Sequence, residues 1–418
     1  MAEIIINGDR KLSGEITIQG AKNSVLPILA GTLLCDGECV IKNCPNLSDV
    51  DTSLKILSQL GCQCRFQDNC ACVNATNLTG YSIPDNLMRE MRSSVVFLGA
   101  IIGRMKEAVI SSPGGCELGP RPIDLHLSAL KKLGVKITEE HGNLYCDAKN
   151  GLHGCDIHLS FPSVGATENI ILAAATAKGI TVIHNAAREP EISDLGDFLN
   201  SAGARIYGCG SDTIYIHGVQ KLRSAVHTII PDRIVAVTYM ACAAITGGKI
   251  KIDNIMPSHM VSCLSAFRES GCDIKLTAKS LILTAPKRLK RIPTIRSLVY
   301  PGFPTDAGPI LISMMAKAEG TTVFVENIFE NRFRYVDELN RLGTKIKTEG
   351  KIAVIEGVES LSGANCKCTD LRGGAALVVS ALAAKGQTVI SETSHIFRGY
   401  DDIVSSLSLL DADISIKE

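Results

Sequence analysis

Two kinds of helical pattern alternate with strands along this chain. The first is apolar on every side and rich in small residues. It occurs as LPILAGTLLC (26–35), VFLGAIIGRM (96–105), NIILAAATA (169–177), VAVTYMACAAIT (235–246), PILISMMAKA (309–318) and LVVSALAA (377–384). A helix without a polar face has to be buried. The second is amphipathic and ends in a stop residue followed by a strand: LSQLGCQC, LKKLGVKI, LNSAGARI, FRESGCDI, LNRLGTKI and LSLLDADI. The stops are Gly61, Gly134, Gly203, Gly271, Gly343 and Asp411, spaced 73, 69, 68, 72 and 68 residues apart.

Two series with one spacing make a six-fold repeat of about 70 residues. Each unit predicts a buried helix, a strand, an amphipathic helix and a two-stranded hairpin such as TKIKTEGKIAVIEG (344–357). The sixth unit stops one strand short, after ISIKE, and AEIIING (2–8) has the composition of the missing strand. If it pairs there, the natural division is into two α/β lobes of three units each. The expected domains are residues 21–229, and residues 1–20 with 230–418.

Composition narrows the function. Forty-three basic and 43 acidic side chains cancel, which argues against a broad electrostatic grip on nucleic acid or anionic lipid. No apolar run approaches the ~18–20 residues of a membrane span. The N-terminus lacks the basic and apolar regions of a signal peptide, and 16 cysteines then indicate free thiols in a reducing cytoplasm. The cluster GCQCRFQDNCACV (61–73) invites a zinc reading, through an interaction protein built on Cys62, Cys64, Cys70 and Cys72. Its C-x-C spacing suits a strand better, and with QDN as the turn it predicts a hairpin whose inward positions are cysteine. Cys366 and Cys368 read the same way.

The starts of the buried helices carry the unusual residues: GAKNS (20–24), EMRSS (90–94), PSVGAT (162–167), PDRI (231–234), FPTDAG (303–308) and TDLRGG (369–374). Helix starts expose unpaired N–H groups and a positive dipole end. Lys22, Arg92, Gly165, Arg233, Asp306 and Arg372 recur there, and Arg121, Arg332 and Arg398 stand in loops. Together they predict a cationic cleft for a ligand with several negative charges, such as a phosphate plus a carboxylate. Asp306, the acidic exception, suits helix capping or a general base toward a hydroxyl. Glu189 and Glu191 are weaker candidates for the same task. Cys116, in SSPGGCELGPRP (111–122), lies in a glycine-rich loop beside Arg121, where cations lower a thiol's pKa and favour an acid or nucleophile.

With GAKNS, DVDTS (49–53), PGGCELGPRPIDLH (113–126), PSVGATENI, NAAREPEI, PDRI, FPTD, FENRF (329–333), TDLR and RGY (398–400), the whole chain resembles the UDP-N-acetylglucosamine enolpyruvyl transferases. The resemblance implies two inside-out α/β domains (barrels), each of three βαβαββ-type units, with substrates bound between them. It implies transfer of the enolpyruvyl group of phosphoenolpyruvate to the 3-hydroxyl of UDP-N-acetylglucosamine, the first committed step of peptidoglycan synthesis, with no metal or organic cofactor. Cys116 is the implied proton donor and site of fosfomycin alkylation, and Asp306 the implied group at the sugar hydroxyl. Lys22, Asn23, Arg121, Arg332, Arg372 and Arg398 match phosphoenolpyruvate contacts. Arg92, Arg121, Pro122, Ile123, Asp124, Leu125, Ser163, Val164, Gly165, Asp306 and Ile328 match contacts to the nucleotide sugar.

The second lobe departs from the family pattern. Ala307-Gly308-Pro309 stand where Met-Gln usually follows FPTD, Val235-Ala236-Val237 follow PDRI, and Asp401 follows RGY. These changes raise an alternative, a catalytically weak paralogue that binds the nucleotide sugar and serves regulation. Transfer to 3-phosphoshikimate is the rival within the same chemistry, and the PGGC loop argues against it.

Overall fold

A computed structural model of the chain describes residues 2–111 and 123–417, the side chain of Arg92 excepted. The described residues divide into two compact units, one of residues 2–19 and 231–417, the other of residues 20–111 and 123–230. Each has its own hydrophobic core.

Each unit is built around three buried helices. In the first they are Arg233–Thr246, Gly308–Met315 and Leu371–Leu382; in the second, Lys22–Gly31, Phe97–Met105 and Val164–Ala174. Small residues let these helices approach closely, and the few hydroxyls among them are satisfied internally. Ser313 Oγ, for example, donates to the Ala376 carbonyl at 2.7 Å across two helices of the first unit. The amphipathic helices Ser48–Gln59, Asp124–Lys132, Pro190–Ser201, Val261–Glu269, Val336–Arg341 and Ile403–Ser408 follow, one per repeat. All six stop residues have left-handed φ, from 88° to 104° at the five glycines and 63° at Asp411. Glycine meets that requirement without Cβ strain, and aspartate is among the few residues that tolerate it.

Five of the six repeats contribute a small four-stranded sheet of one design, and in the sheet of Glu107–Ser111 the parallel edge is reduced to a single bridge between Ser82 and Val109. In the common design the central strand follows the buried helix, a short edge strand lies parallel on one side, and a hairpin lies antiparallel on the other. The sheet Thr294–Arg296, Thr321–Val325, Ile352–Glu356, Lys345–Glu349 shows it in that spatial order. In the sixth sheet, Glu3–Asn7 takes the place of the missing hairpin strand. It pairs antiparallel with Gln387–Ser391 and with Asp413–Lys417, which buries Ile4 and Ile6, so the start of the chain completes its end as expected. Sheets outside and helices inside give each unit the inside-out α/β fold.

The cysteine hairpin corrects one expectation. Its strands are Gln63–Gln67 and Cys70–Asn74, joined by Asp68 and Asn69, both with positive φ. A two-residue turn of that type pairs Gln67 with Cys70, whereas a three-residue QDN turn would set Cys64 opposite Cys72. Cys64 therefore lies opposite buried Val73 on the core face, and Cys70 and Cys72 fall on the other face. The thiols do not converge, and among the described residues no group of three or more His, Cys, Asp or Glu side chains is placed to hold a metal ion. Cys366 and Cys368 are buried, and all fifteen described cysteines are free thiols.

Candidate active site

In the unit of residues 2–19 and 231–417, three helix starts gather around one carboxylate. Asp232 caps the helix Arg233–Thr246 by accepting from the N–H groups of Ile234 and Val235 at 2.8 and 3.0 Å. Asp370 caps Leu371–Leu382 by accepting from Arg372 and Gly373, both at 3.0 Å. Asp306 does not cap its helix. It lies inside the turn Thr305–Ala307, and its carboxylate meets two arginines instead. Arg332 Nη2 is 3.1 Å from Oδ1 and Arg372 Nη2 3.4 Å from Oδ2.

Both guanidinium groups are buried. Arg332 also donates to the Thr305 carbonyl at 3.2 Å and stands over the Phe329 ring, 5.6 Å from its centroid. Arg372 stands over the Tyr400 ring at 5.7 Å and donates to its hydroxyl at 3.3 Å, and that hydroxyl lies 2.8 Å from Thr238 Oγ1. Burial works against the charge on Arg372, yet Tyr400, Asp306 and Asp232 more than offset it and hold its pKa above the ordinary value. The Nε of each arginine is buried without a hydrogen-bond partner. Two cations with donors to spare, beside a partly exposed carboxylate, can grip an anion and accept a proton in the same place.

In the other unit, Lys22 opens its helix and is nearly buried, its Nζ 2.7 Å from Asp49 Oδ2. Asn23, next to it, is exposed. Ser163 caps Val164–Ala174 through the Ala166 N–H, and Val164 and Gly165 are half-buried at that helix start. Beside Gly165 lies His126, in the first turn of Asp124–Lys132. Asn169 Oδ1 accepts from the Gly99 N–H at 2.6 Å, so its amide nitrogen faces the Val95 carbonyl at 3.0 Å and His126 Nδ1 at 2.9 Å. That leaves the imidazole proton on Nε2. Burial lowers the His126 pKa to about 4.

The chain matches the family model described as EPSP synthase (3-phosphoshikimate 1-carboxyvinyltransferase) over residues 6–407. It belongs to that family. Among curated relatives it is 50% identical over 414 residues, 99% of each chain, to UDP-N-acetylglucosamine 1-carboxyvinyltransferase 2 of Caldanaerobacter subterraneus subsp. tengcongensis. It is 43% identical over 412 residues, 99% of this chain and 97% of the relative, to UDP-N-acetylglucosamine 1-carboxyvinyltransferase 2 of Listeria monocytogenes. Among solved structures it resembles the enolpyruvyl transferase NikO from Streptomyces tendae, with TM-score 0.89 at 25% identity over 100% of this chain and 99% of that one. EPSP synthase from Acinetobacter baumannii shares the fold at 18% identity and TM-score 0.77, over the full length of both chains.

For this member of the EPSP synthase family, the structure brings Asp306, Arg332 and Arg372 together. Ile328 is half-buried in the turn that leads to Arg332, and Arg398 is half-buried at the end of Thr393–Arg398. Ile123 and Leu125 are half-buried and Asp124 exposed at the start of their helix. Cys116, Arg121 and Pro122 lie outside the described residues, as does the side chain of Arg92. Glu191 is buried and Glu189 stands at the start of Pro190–Ser201; burial first, and then the charges of Glu191 and Glu189, push the carboxyl of Glu168 well above the usual range.

Sequence reasoning overlooked several partners. Asp49 and Tyr400 stood inside quoted motifs, DVDTS and RGY, without a role. Thr238 and Asn169 were visible as polar residues inside otherwise apolar helices. Each proves to serve a neighbour's side chain.

Proposed function

We propose that this chain transfers the enolpyruvyl group of phosphoenolpyruvate to the 3-hydroxyl of UDP-N-acetylglucosamine and releases phosphate, the first committed step of peptidoglycan synthesis. The reading rests on one observation: the Asp306 carboxylate held by two buried arginines, in a chain 50% identical to an enzyme of that name. Joining an alcohol to an enol ether needs a proton taken from the hydroxyl and one delivered to the methylene carbon. Asp306 accepts the first, and Cys116 donates the second. The sugar oxygen bonds to the central carbon, and the methylene becomes a methyl. The product of addition is a tetrahedral ketal carrying phosphate and carboxylate.

Loss of a proton from that methyl, with the C–O bond to phosphate breaking, restores the double bond and expels phosphate. Cations fixed around the anion stabilise both directions of charge movement without rearranging. Arg332 and Arg372 serve the carboxylate side, and Lys22, Arg121 and Arg398 the phosphate. Asn23 adds a contact beside Lys22. Ile123, Asp124, Leu125, Ser163, Val164, Gly165 and Ile328, with Arg92 and Pro122, receive the nucleotide sugar.

The arginine–carboxylate group survives the departures from the family pattern, which favours an active enzyme over a silent paralogue. Val235, Ala236 and Val237 are core residues of their helix, and Gly308 packs against the Phe324 ring. Asp306 keeps both arginine partners despite them. Phosphate release from phosphoenolpyruvate tests the reading. Release by the wild type that needs UDP-N-acetylglucosamine and collapses in Cys116→Ser is expected. Wild-type protein that binds the nucleotide sugar yet releases no phosphate would overturn it.

A further inference from the structure

Glu326 is fully buried and takes no part in the steps above. A buried carboxylate is costly unless donors surround it, and here four do. Its Oε1 accepts from Ser297 Oγ at 2.8 Å and from the N–H groups of Ile328 at 2.7 Å and Phe329 at 3.1 Å. Its Oε2 accepts from Thr305 Oγ1 at 2.9 Å. The donors come from three segments: the end of the edge strand, the helix start that carries Asp306, and the turn that leads to Arg332.

The repeat shows that the sheet itself does not require this residue. In three other sheets an asparagine directly follows the central strand and donates to the residue after the edge strand. Asn43 reaches the Ile229 carbonyl at 2.9 Å, Asn185 that of Leu159 at 2.8 Å, and Asn254 that of Ile18 at 2.7 Å. In the fifth sheet the same bond is made by Asn327, to the Ser297 carbonyl at 2.9 Å, one position later. Glu326 occupies the extra position. It is therefore an addition to the common design, made in the repeat that carries Asp306.

We propose that Glu326 is a positioning residue for the reaction. It holds Thr305, and Thr305 holds Asp306 in register with Arg332, whose Nη2 spans the Thr305 carbonyl and the Asp306 carboxylate. Through its bonds to Ile328 and Phe329 it also sets the turn under that guanidinium. The inference rests on the enolpyruvyl transfer proposed above for its effect on rate, though not for its geometry.

The link from Glu326 to Asp306 runs through one hydroxyl, so Thr305 is the place to cut it. Glu326→Ala strips four donors at once and risks the fold. Thr305→Val removes only the hydroxyl, and Thr305→Ser keeps it. Misplacing a reacting group by about 1 Å can cost ~100-fold, so Thr305→Val is expected to lower kcat by roughly 10- to 100-fold. KM should change far less, and Thr305→Ser should recover most of the rate. Wild-type kcat in Thr305→Val, or a loss that Thr305→Ser does not repair, overturns the proposal while leaving the transferase intact. If the wild type itself shows no turnover, the functional reading fails, and a crystal structure of Thr305→Val decides the positioning. Asp306 displaced from its 3.1 Å contact with Arg332 supports it, and an unmoved carboxylate overturns it.

Discussion

His126 and Asp306 stand in opposite surroundings. Asp306 faces two cations and part of the solvent, whereas the ring of His126 is enclosed and accepts a hydrogen bond from Asn169. Folding therefore keeps the imidazole neutral, with a pKa lowered to about 4 by burial. Between that value and the ordinary 6.5, the unfolded chain binds a proton that the folded chain refuses. The contribution is complete above pH 6.5 and lost as pH falls toward 4, and the shift corresponds to about 3 kcal/mol. His126→Gln, whose carbonyl can accept from Asn169, should flatten the fall in Tm between pH 6.5 and 4. An equally steep fall in the variant would assign the titration to another group. None of this was legible in a lone histidine following PRPIDL, because the tautomer depends on an asparagine 43 residues away.

At the level of elements, the repeat pattern predicted helices and strands well, since burial periodicity is local. Register and side-chain matching were less legible. The cysteine hairpin turned on whether its turn held two residues or three, a difference of one that exchanges the faces. Gly308 is a second case. From sequence it is a loss of the family's usual residue; in the structure it makes room for Phe324. A Cβ at Gly308 would lie 2.8 Å from the Phe324 ring, and Phe303 and Phe333 make T-shaped contacts with that ring, each with its centroid 6.3 Å away. At this first helical position propensity favours alanine by less than the ~1 kcal/mol of a helix interior. The clash should outweigh it, and Gly308→Ala is expected to destabilise by about 1–3 kcal/mol in denaturant titration. Adding Phe324→Leu to Gly308→Ala should then cost less than Phe324→Leu alone, the sign of a coupled pair. Additive losses would mean that the glycine serves some other purpose.

The described residues form two units, and among them the chain passes from one unit to the other near residues 20 and 230. Residues 20–230 carry their own core, and their ends meet: the Ala21 N–H donates to the Ile230 carbonyl at 2.8 Å, and Val226–Thr228 pairs parallel with Glu38–Lys42. A fragment of residues 20–230 is therefore expected to unfold in one cooperative thermal transition by circular dichroism. It should release no phosphate, since Asp306, Arg332 and Arg372 belong to the other unit. A non-cooperative melt would show that the unit depends on its neighbour. The other unit has no such simple excision, because Glu3–Asn7 lies between Gln387–Ser391 and Asp413–Lys417 and must return from the far end of the chain.

What the sequence determined by itself was the repeat, its six buried helices, and the residue types at their starts. Those follow from the free energy of burying apolar surface, which a local pattern of side chains records. Only the tertiary structure decided which charge meets which. Arg332 and Arg372 reach Asp306 across 26 and 66 residues, and Glu326 reaches Thr305 from the next strand. Hydrogen bonds are short and directional, so their partners are chosen by packing and leave no period in the chain.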